Sequence, residues 1–241
     1  MTSPRLQTST LSPAAGERIV VDRLRGTAPA YVFLHGLGSV RDGEKSRALL
    51  RHAHARGRAA ARFDFRGHGE SSGRIGAVTF TELLADAGAV LDAVGPAVLV
   101  GSSLGGLVAA HLAAARPRDV RAVALLSPAF GFLPHMRDLL DDQGRLHTGE
   151  GVAFAIEERA LADAARHDEQ ALPRRLPMPV FLAHGSDDDV VPPALSEAFA
   201  AGVPHREVDL WIVPGGDHRL SRDIAAILDR METLLQRGGV P

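Results

Sequence analysis

Ser103 stands at the centre of Gly101-Ser102-Ser103-Leu104-Gly105, directly after the apolar run 97–100 and directly before a stretch with helical spacing. A Gly-x-Ser-x-Gly turn between a strand and a helix is a nucleophile elbow. Glycine is needed where a side chain would collide with neighbouring backbone, and the central serine is held on a strained corner with its hydroxyl projecting. A serine hydroxyl attacks poorly at neutral pH and needs a base to take its proton. Histidine suits that role because its pKa lies close to ambient pH. The base in turn needs an acceptor on its other ring nitrogen, which fixes the tautomer and stabilises the imidazolium. Of the 11 histidines, His218 is the candidate, because it follows the apolar run 210–213 and the turn Pro214-Gly215-Gly216-Asp217. That places it at the end of a strand, as Ser103 is. The acid must come from HGSDDDVVP, where Asp187, Asp188 and Asp189 are consecutive and the residue types alone leave the choice open. The segment lacks the spaced oxygen ligands and the glycine of a calcium loop, so no metal is expected there.

Strand ends must bring these groups together. Six apolar runs recur, at 31–34, 59–65, 97–100, 120–126, 180–183 and 210–213. They are continuous rather than alternating, as in strands covered on both faces of a parallel sheet. Thr79-Phe80-Thr81-Glu82 reads as a capping box, after which Phe80, Leu83, Leu84, Ala87, Val90, Leu91 and Val94 form one apolar stripe. Leu104, Leu107, Val108, Leu112 and Ala115 repeat the pattern after the serine turn. A last helix is expected from about residue 221, with Ile224, Ile227, Leu228, Met231 and Leu235 facing inward. The first 26 residues read as an antiparallel hairpin turning at Ser12-Pro13-Ala14-Ala15-Gly16. Strand–helix alternation of this kind predicts a doubly wound, mostly parallel α/β sheet of about eight strands in a single domain, 1–241.

One interval breaks the rhythm. About fifty residues separate the run ending near Ser127 from the one starting near Pro179, too long for a structureless loop. The interval carries Phe130, Phe132, Leu133, Met136, Leu139 and Leu140, then a helix-like stretch at 154–167. It reads as a small cap, 130–176, inserted over the C-terminal ends of the strands, where open α/β sheets bind ligands. Phe130, Phe132, Leu133 and Met136 are its candidate substrate-binding residues.

Composition removes several classes of function. A net charge of −2 offers nothing to nucleic acid or to an anionic membrane. Cysteine is absent, which excludes disulfides, thiolate catalysis and Cys-ligated zinc. Lys45 is the only lysine; arginine supplies the remaining basic charge, which with abundant alanine reads as genomic base composition rather than phosphate binding. Residues 93–115 carry no formal charge over a membrane-spanning length, but Gly95-Pro96, Gly101 and Gly105-Gly106 break the stretch into helix end, strand, turn and helix. No membrane span is expected, the N-terminus shows no signal-peptide core, and the expected location is cytoplasmic. Oligomeric state is not readable from the sequence.

Almost the whole chain resembles the α/β-hydrolases, through His35-Gly36, Asp64-Phe65-Arg66-Gly67-His68-Gly69-Glu70-Ser71, GSSLG, HGSDDDVVP and GGDH, all in order. Among them it is similar to small bacterial carboxylesterases of the cinnamoyl or feruloyl type, and to the acyl-protein thioesterase and acyl-glucuronide esterase group, whose elbow also reads GSSLGG. The resemblance implies an α/β-hydrolase fold and a cofactor-free serine hydrolase with Ser103 as nucleophile, His218 as base and Asp188, four residues after His184, as acid. It also implies an oxyanion hole built from the backbone N–H groups of Leu37 and Leu104. In that family the arginine and histidine of the Asp64–Ser71 motif brace loops, and His35, His68 and His184 are accordingly read as structural. The expected substrate is a small-molecule carboxylic ester with a small or medium acyl or aryl group, with an acyl thioester as the alternative and, behind it, a serine peptidase or a non-catalytic ligand-binding member.

Overall fold

Each of the six apolar runs contains a strand in the computed structural model, which describes residues 5–148 and 152–240. The elements in chain order are β1 (Leu6–Leu11), β2 (Ile19–Leu24), β3 (Thr27–Leu34), α1 (Glu44–Ala55), β4 (Arg58–Phe63), α2 (Phe80–Val94), β5 (Ala97–Ser102), α3 (Leu104–Ala115), β6 (Val120–Leu126), α4 (Phe132–His135), β7 (Arg145–His147), β8 (Ala153–Ala155), α5 (Glu158–Ala164), β9 (Val180–Gly185), α6 (Pro193–Gly202), β10 (Val208–Val213) and α7 (Ile224–Arg237). Eight strands form one sheet in the order β1-β2-β4-β3-β5-β6-β9-β10. The hairpin β1–β2 is antiparallel and joins β4 antiparallel; every pairing from β4 to β10 is parallel. This is the mostly parallel α/β sheet expected of the sequence. Residues 1–4 of the expected hairpin, 149–151 of the expected insertion and the terminal residue 241 lie outside the described residues.

The continuous runs follow from burial on both faces. Along β5, Ala97 and Leu99 belong to one core and Val98 and Val100 to the other. On the first face α2 and α3 pack through Phe80, Leu83, Leu91, Leu107 and Val108; on the second α1 and α7 pack through Leu49, Leu50, Ile227, Leu228 and Met231. The stripe predicted for α2 is borne out, and so is its start. Thr79 Oγ1 accepts from the Glu82 N–H at 3.1 Å, and the Glu82 carboxylate accepts from the Thr79 N–H at 2.8 Å. The two bonds satisfy helix N–H groups that would otherwise lack acceptors.

Two elements differ from expectation. The sequence reading places no helix at 44–55, yet α1 forms there; its buried residues are only Ser46, Ala48, Leu49, Leu50 and Ala53, so its apolar face is narrow. The helix expected at 154–167 begins later. Ala153, Phe154 and Ala155 instead pair antiparallel with Arg145, Leu146 and His147, and α5 spans only Glu158–Ala164. The physical reason is a backbone seam: Ile156 N–H donates to Gly144 O at 3.1 Å and Glu157 N–H to Gly76 O at 2.9 Å, so this stretch is held extended from both sides.

Parallel strands put all their C-terminal ends on one edge. The loops after β3, β5, β9 and β10 therefore share a rim, and described residues of α4 and β7 line a cavity with residues of those loops. The charge-free stretch 93–115 resolves into the end of α2, β5, a turn and α3. Among the described residues no helix is long and apolar enough to cross a membrane.

Candidate active site

Ser103 is the corner between β5 and α3. Its φ of 55° and ψ of −121° are unusual for a residue with a side chain, a conformation that costs about 1–3 kcal/mol and persists only when the surroundings impose it. The flanking glycines are what allow it. A Cβ on Gly101 would sit 2.3 Å from Gly105 O, and one on Gly105 would sit 2.2 Å from Leu34 O. The turn closes because neither side chain exists.

His218 reaches this corner from the loop after β10. Its Nε2 lies 3.0 Å from Ser103 Oγ, and its Nδ1 lies 2.8 Å from Asp188 Oδ2. An ionised carboxylate at Nδ1 holds the ring proton there, which leaves Nε2 free to accept the serine hydroxyl proton. Of the three consecutive aspartates only Asp188 turns inward. Its side chain is fully buried, whereas Asp187 and Asp189 are exposed. Oδ1 of Asp188 accepts from the N–H groups of Val190 and Val191, both at 2.9 Å, and Oδ2 meets His184 Nε2 at 2.9 Å as well as His218. Burial alone would raise this carboxyl's pKa; the hydrogen bonds from His184, His218 and Val191 outweigh it and hold the group well below the usual carboxylate range.

Two backbone N–H groups belong to residues that line the same cavity as Ser103. Leu104 is the first residue of α3, so its N–H has no acceptor within the helix and lies at the positive end of the helix dipole. Leu37 lies in the loop after β3. Among the described residues its N–H meets no backbone or side-chain acceptor, and Leu37, Ser103, Leu104 and His218 line one cavity of about 1010 Å³. The neighbouring histidines are structural in their contacts. His35 Nε2 accepts the Phe65 N–H and His68 Nε2 accepts the Gly38 N–H, each at 3.1 Å. Burial pushes His35 down to about 3 and also lowers His68, so both are neutral linkers between loops.

The four apolar residues expected to bind substrate divide into two settings. Phe130 and Phe132 line the large cavity, while Phe132, Leu133 and Met136 line an apolar cleft with Phe80, Leu146 and Ile156. Leu37, Leu104, Phe132 and Leu146 border both. Phe130 is also a core residue, only 7% exposed and stacked on Phe199 with ring centroids 4.1 Å apart. Glu169 fixes the start of this segment by accepting the N–H groups of Gly131 at 2.7 Å and Leu133 at 3.2 Å. Sequence reasoning assigned no role to Glu169 or Leu146, and nothing in their spacing marks them. His184 was placed among structural residues; its position four before Asp188 was the available signal for its contact with the acid.

Comparison with known proteins supports the same grouping. Residues 27–146 match the family described as serine aminopeptidase, S33. Palmitoyl-protein thioesterase ABHD10 from Bos taurus is 31% identical over 232 residues, spanning 89% of this chain and 76% of that protein. The structure of alpha/beta hydrolase domain-containing protein 10 from mouse superimposes with a TM-score of 0.85 at 29% identity, covering 96% of this chain and 99% of that one. Est1E from Butyrivibrio proteoclasticus, in its ferulic acid-bound structure, shares the fold with a TM-score of 0.81 at 21% identity over 95% of this chain and 99% of that chain. The ABHD10 proteins from cattle, mouse and human are named as mitochondrial, which overturns the cytoplasmic location expected from the sequence. The chain belongs to the α/β-hydrolase family, and it is a serine hydrolase of the kind that acts on esters or thioesters.

Proposed function

We propose that Ser103, His218 and Asp188 are the catalytic triad and that the reaction passes through an acyl-enzyme on Ser103. The observation that carries this reading is the unbroken succession Ser103 Oγ to His218 Nε2 at 3.0 Å and His218 Nδ1 to Asp188 Oδ2 at 2.8 Å, on the wall of a cavity. In this scheme Ser103 Oγ attacks the acyl carbon as its proton passes to His218 Nε2. The developing oxyanion is received by the N–H groups of Leu37 and Leu104, each donor contributing about 3 kcal/mol to the transition state. His218 then protonates the leaving oxygen or sulfur, the acyl group stays on Ser103, and water repeats the sequence to release the acid. No step requires a cofactor.

The substrate is a carboxylic ester of a small or medium acyl or aryl group. The acyl thioester is the second reading, favoured by the thioesterase name of the ABHD10 relatives. Residues 130–176 act as a cap that supplies the acyl-facing wall through Phe130, Phe132, Leu133 and Met136. The test is a matched pair, one oxygen ester and one thioester with the same acyl group, hydrolysed in the presence of an added alcohol. Both must pass through one acyl-enzyme, so the ratio of acid to transferred ester is the same from either substrate. Ratios that differ with the leaving group overturn the acyl-enzyme. Comparison of kcat/KM across the pair, and across a peptide amide, assigns the bond class.

A further inference from the structure

The chain uses arginine at every basic position but one. That one, Lys45, lies in the first turn of α1 and lines the cavity that holds Ser103. Its Nζ crosses to the loop after β10 and donates to the carbonyl of Arg219 at 2.6 Å. Arg219 directly follows His218. The loop is also tied within itself, since Asp217 Oδ1 accepts the N–H groups of Arg219 at 3.0 Å and Leu220 at 2.9 Å, and Leu220 adopts a φ of 53°. His218 thus sits between an aspartate-locked turn and a strained residue, with a lysine from another element holding the carbonyl beside it.

We propose that Lys45 is a positioning residue, whose ammonium fixes the His218 loop against α1 and so keeps Nε2 aimed at Ser103. The inference rests on the reading of His218 as the base. A charge-assisted N–H···O bond is about twice as strong as a neutral one, so the protonated amine is the effective strut. Charges facing it come from every element packed around it: Asp217 and Arg219 from the His218 loop, Glu44 from α1 and Asp188 from the turn after β9. Burial pushes Lys45 down to about 8, although Asp217, Glu44 and Asp188 favour its charged form and Arg219 opposes it. The strut therefore weakens as pH rises through that value, and the negative charge of Asp217 beside His218 loses its counter-charge. An arginine here would stay charged at any accessible pH. Lysine makes the contact titratable.

Steady-state hydrolysis of a p-nitrophenyl acyl ester by the wild type, Lys45→Met and Lys45→Arg tests this, with pH profiles for each. In Lys45→Met, kcat is expected to fall about tenfold or more, with KM within about twofold. The wild type is expected to lose kcat as pH rises above about 8, where Lys45 gives up its proton. Lys45→Arg is expected to keep most of kcat and to lack that alkaline fall. An alkaline fall unchanged in Lys45→Arg overturns the proposal, as does a Lys45→Met enzyme with wild-type kcat and pH profile. Should Lys45→Met fail to fold, the profile of Lys45→Arg decides alone. Ser103→Ala, run alongside, separates the two levels. Activity surviving in Ser103→Ala overturns the reading of the site itself, whereas an inactive Ser103→Ala beside an unaffected Lys45→Met overturns only the role of Lys45.

Discussion

His184 Nε2 stands 2.9 Å from Oδ2 of Asp188, the same oxygen that His218 Nδ1 reaches at 2.8 Å. One carboxylate oxygen thus serves two imidazoles, one fully buried in β9 and one at the cavity. His184 Nε2 also lies 2.9 Å from Val191 O, and its Nδ1 lies 2.7 Å from the Ser196 hydroxyl. Because Nε2 faces two acceptors, the Asp188 carboxylate and the Val191 carbonyl, the ring proton belongs on Nε2 and Nδ1 is left to accept from Ser196. His184 orients the acid as the acid orients His218.

Replacing His184 with alanine is therefore expected to lower kcat about tenfold, while KM stays within about twofold. Steady-state kinetics read the split. A rise in KM with kcat intact would place His184 in substrate binding instead.

In the proposed triad, Asp188→Asn removes the charge that would stabilise the imidazolium and permits the wrong tautomer, so kcat is expected to fall on the order of a thousandfold or more. The same change at Asp187 or Asp189, both exposed, is expected to cost less than about tenfold. Stability carries a matching pH signature. The folded-state pKa of Asp188 is depressed, so its ionised form contributes stability above the ordinary carboxylate range. That contribution is lost progressively as pH falls from the ordinary carboxylate value, and is gone only once pH has passed the depressed folded value. The melting-temperature gap between wild type and Asp188→Asn is thus expected to persist at pH 7 and to close only well below about pH 4. A gap that closes near the ordinary carboxylate value contradicts the buried, multiply bonded acid.

Phe132 borders both the reaction cavity and the apolar cleft. Phe132→Ala is expected to join the two and move the acyl-chain optimum of kcat/KM to longer chains. Discrimination per methylene is about 1–3 kcal/mol in such a pocket. A chain-length series of esters reads the shift, and an unchanged profile removes Phe132 from the acyl wall.

Phe130 has a different fate, because its stacking on Phe199 makes it part of the core. Phe130→Ala is expected to cost about 3–5 kcal/mol of unfolding free energy. Denaturant titration measures this; a loss under about 1 kcal/mol would contradict the place of Phe130 in the core.

Strands, the serine turn and the position of His218 beyond a strand end were legible because each depends on a local pattern. Strands buried on both faces must be apolar throughout, and a turn as tight as that at Ser103 admits only glycine at positions 101 and 105. The acid was not legible from residue type. Three neighbouring aspartates have the same chemistry, and only the backbone course after β9 sends Asp188 inward while its neighbours face solvent. Resemblance to a family supplied that register. α1 escaped because its buried face is narrow among arginines and histidines, and with it went the meaning of Lys45, whose partner lies 174 residues away. The start of α5 was misplaced because Ala153–Ala155 is governed by its pairing with Arg145–His147, a tertiary contact that no helical period reveals.

The central claim is that Ser103 alone is the activated hydroxyl. Stoichiometric reaction with a fluorophosphonate, followed by peptide mapping, tests it directly. One adduct per chain is expected, at Ser103, with none on Ser103→Ala and with labelling and substantial turnover retained in Ser102→Ala. An adduct at Ser102, or labelling that survives in Ser103→Ala, would contradict the account.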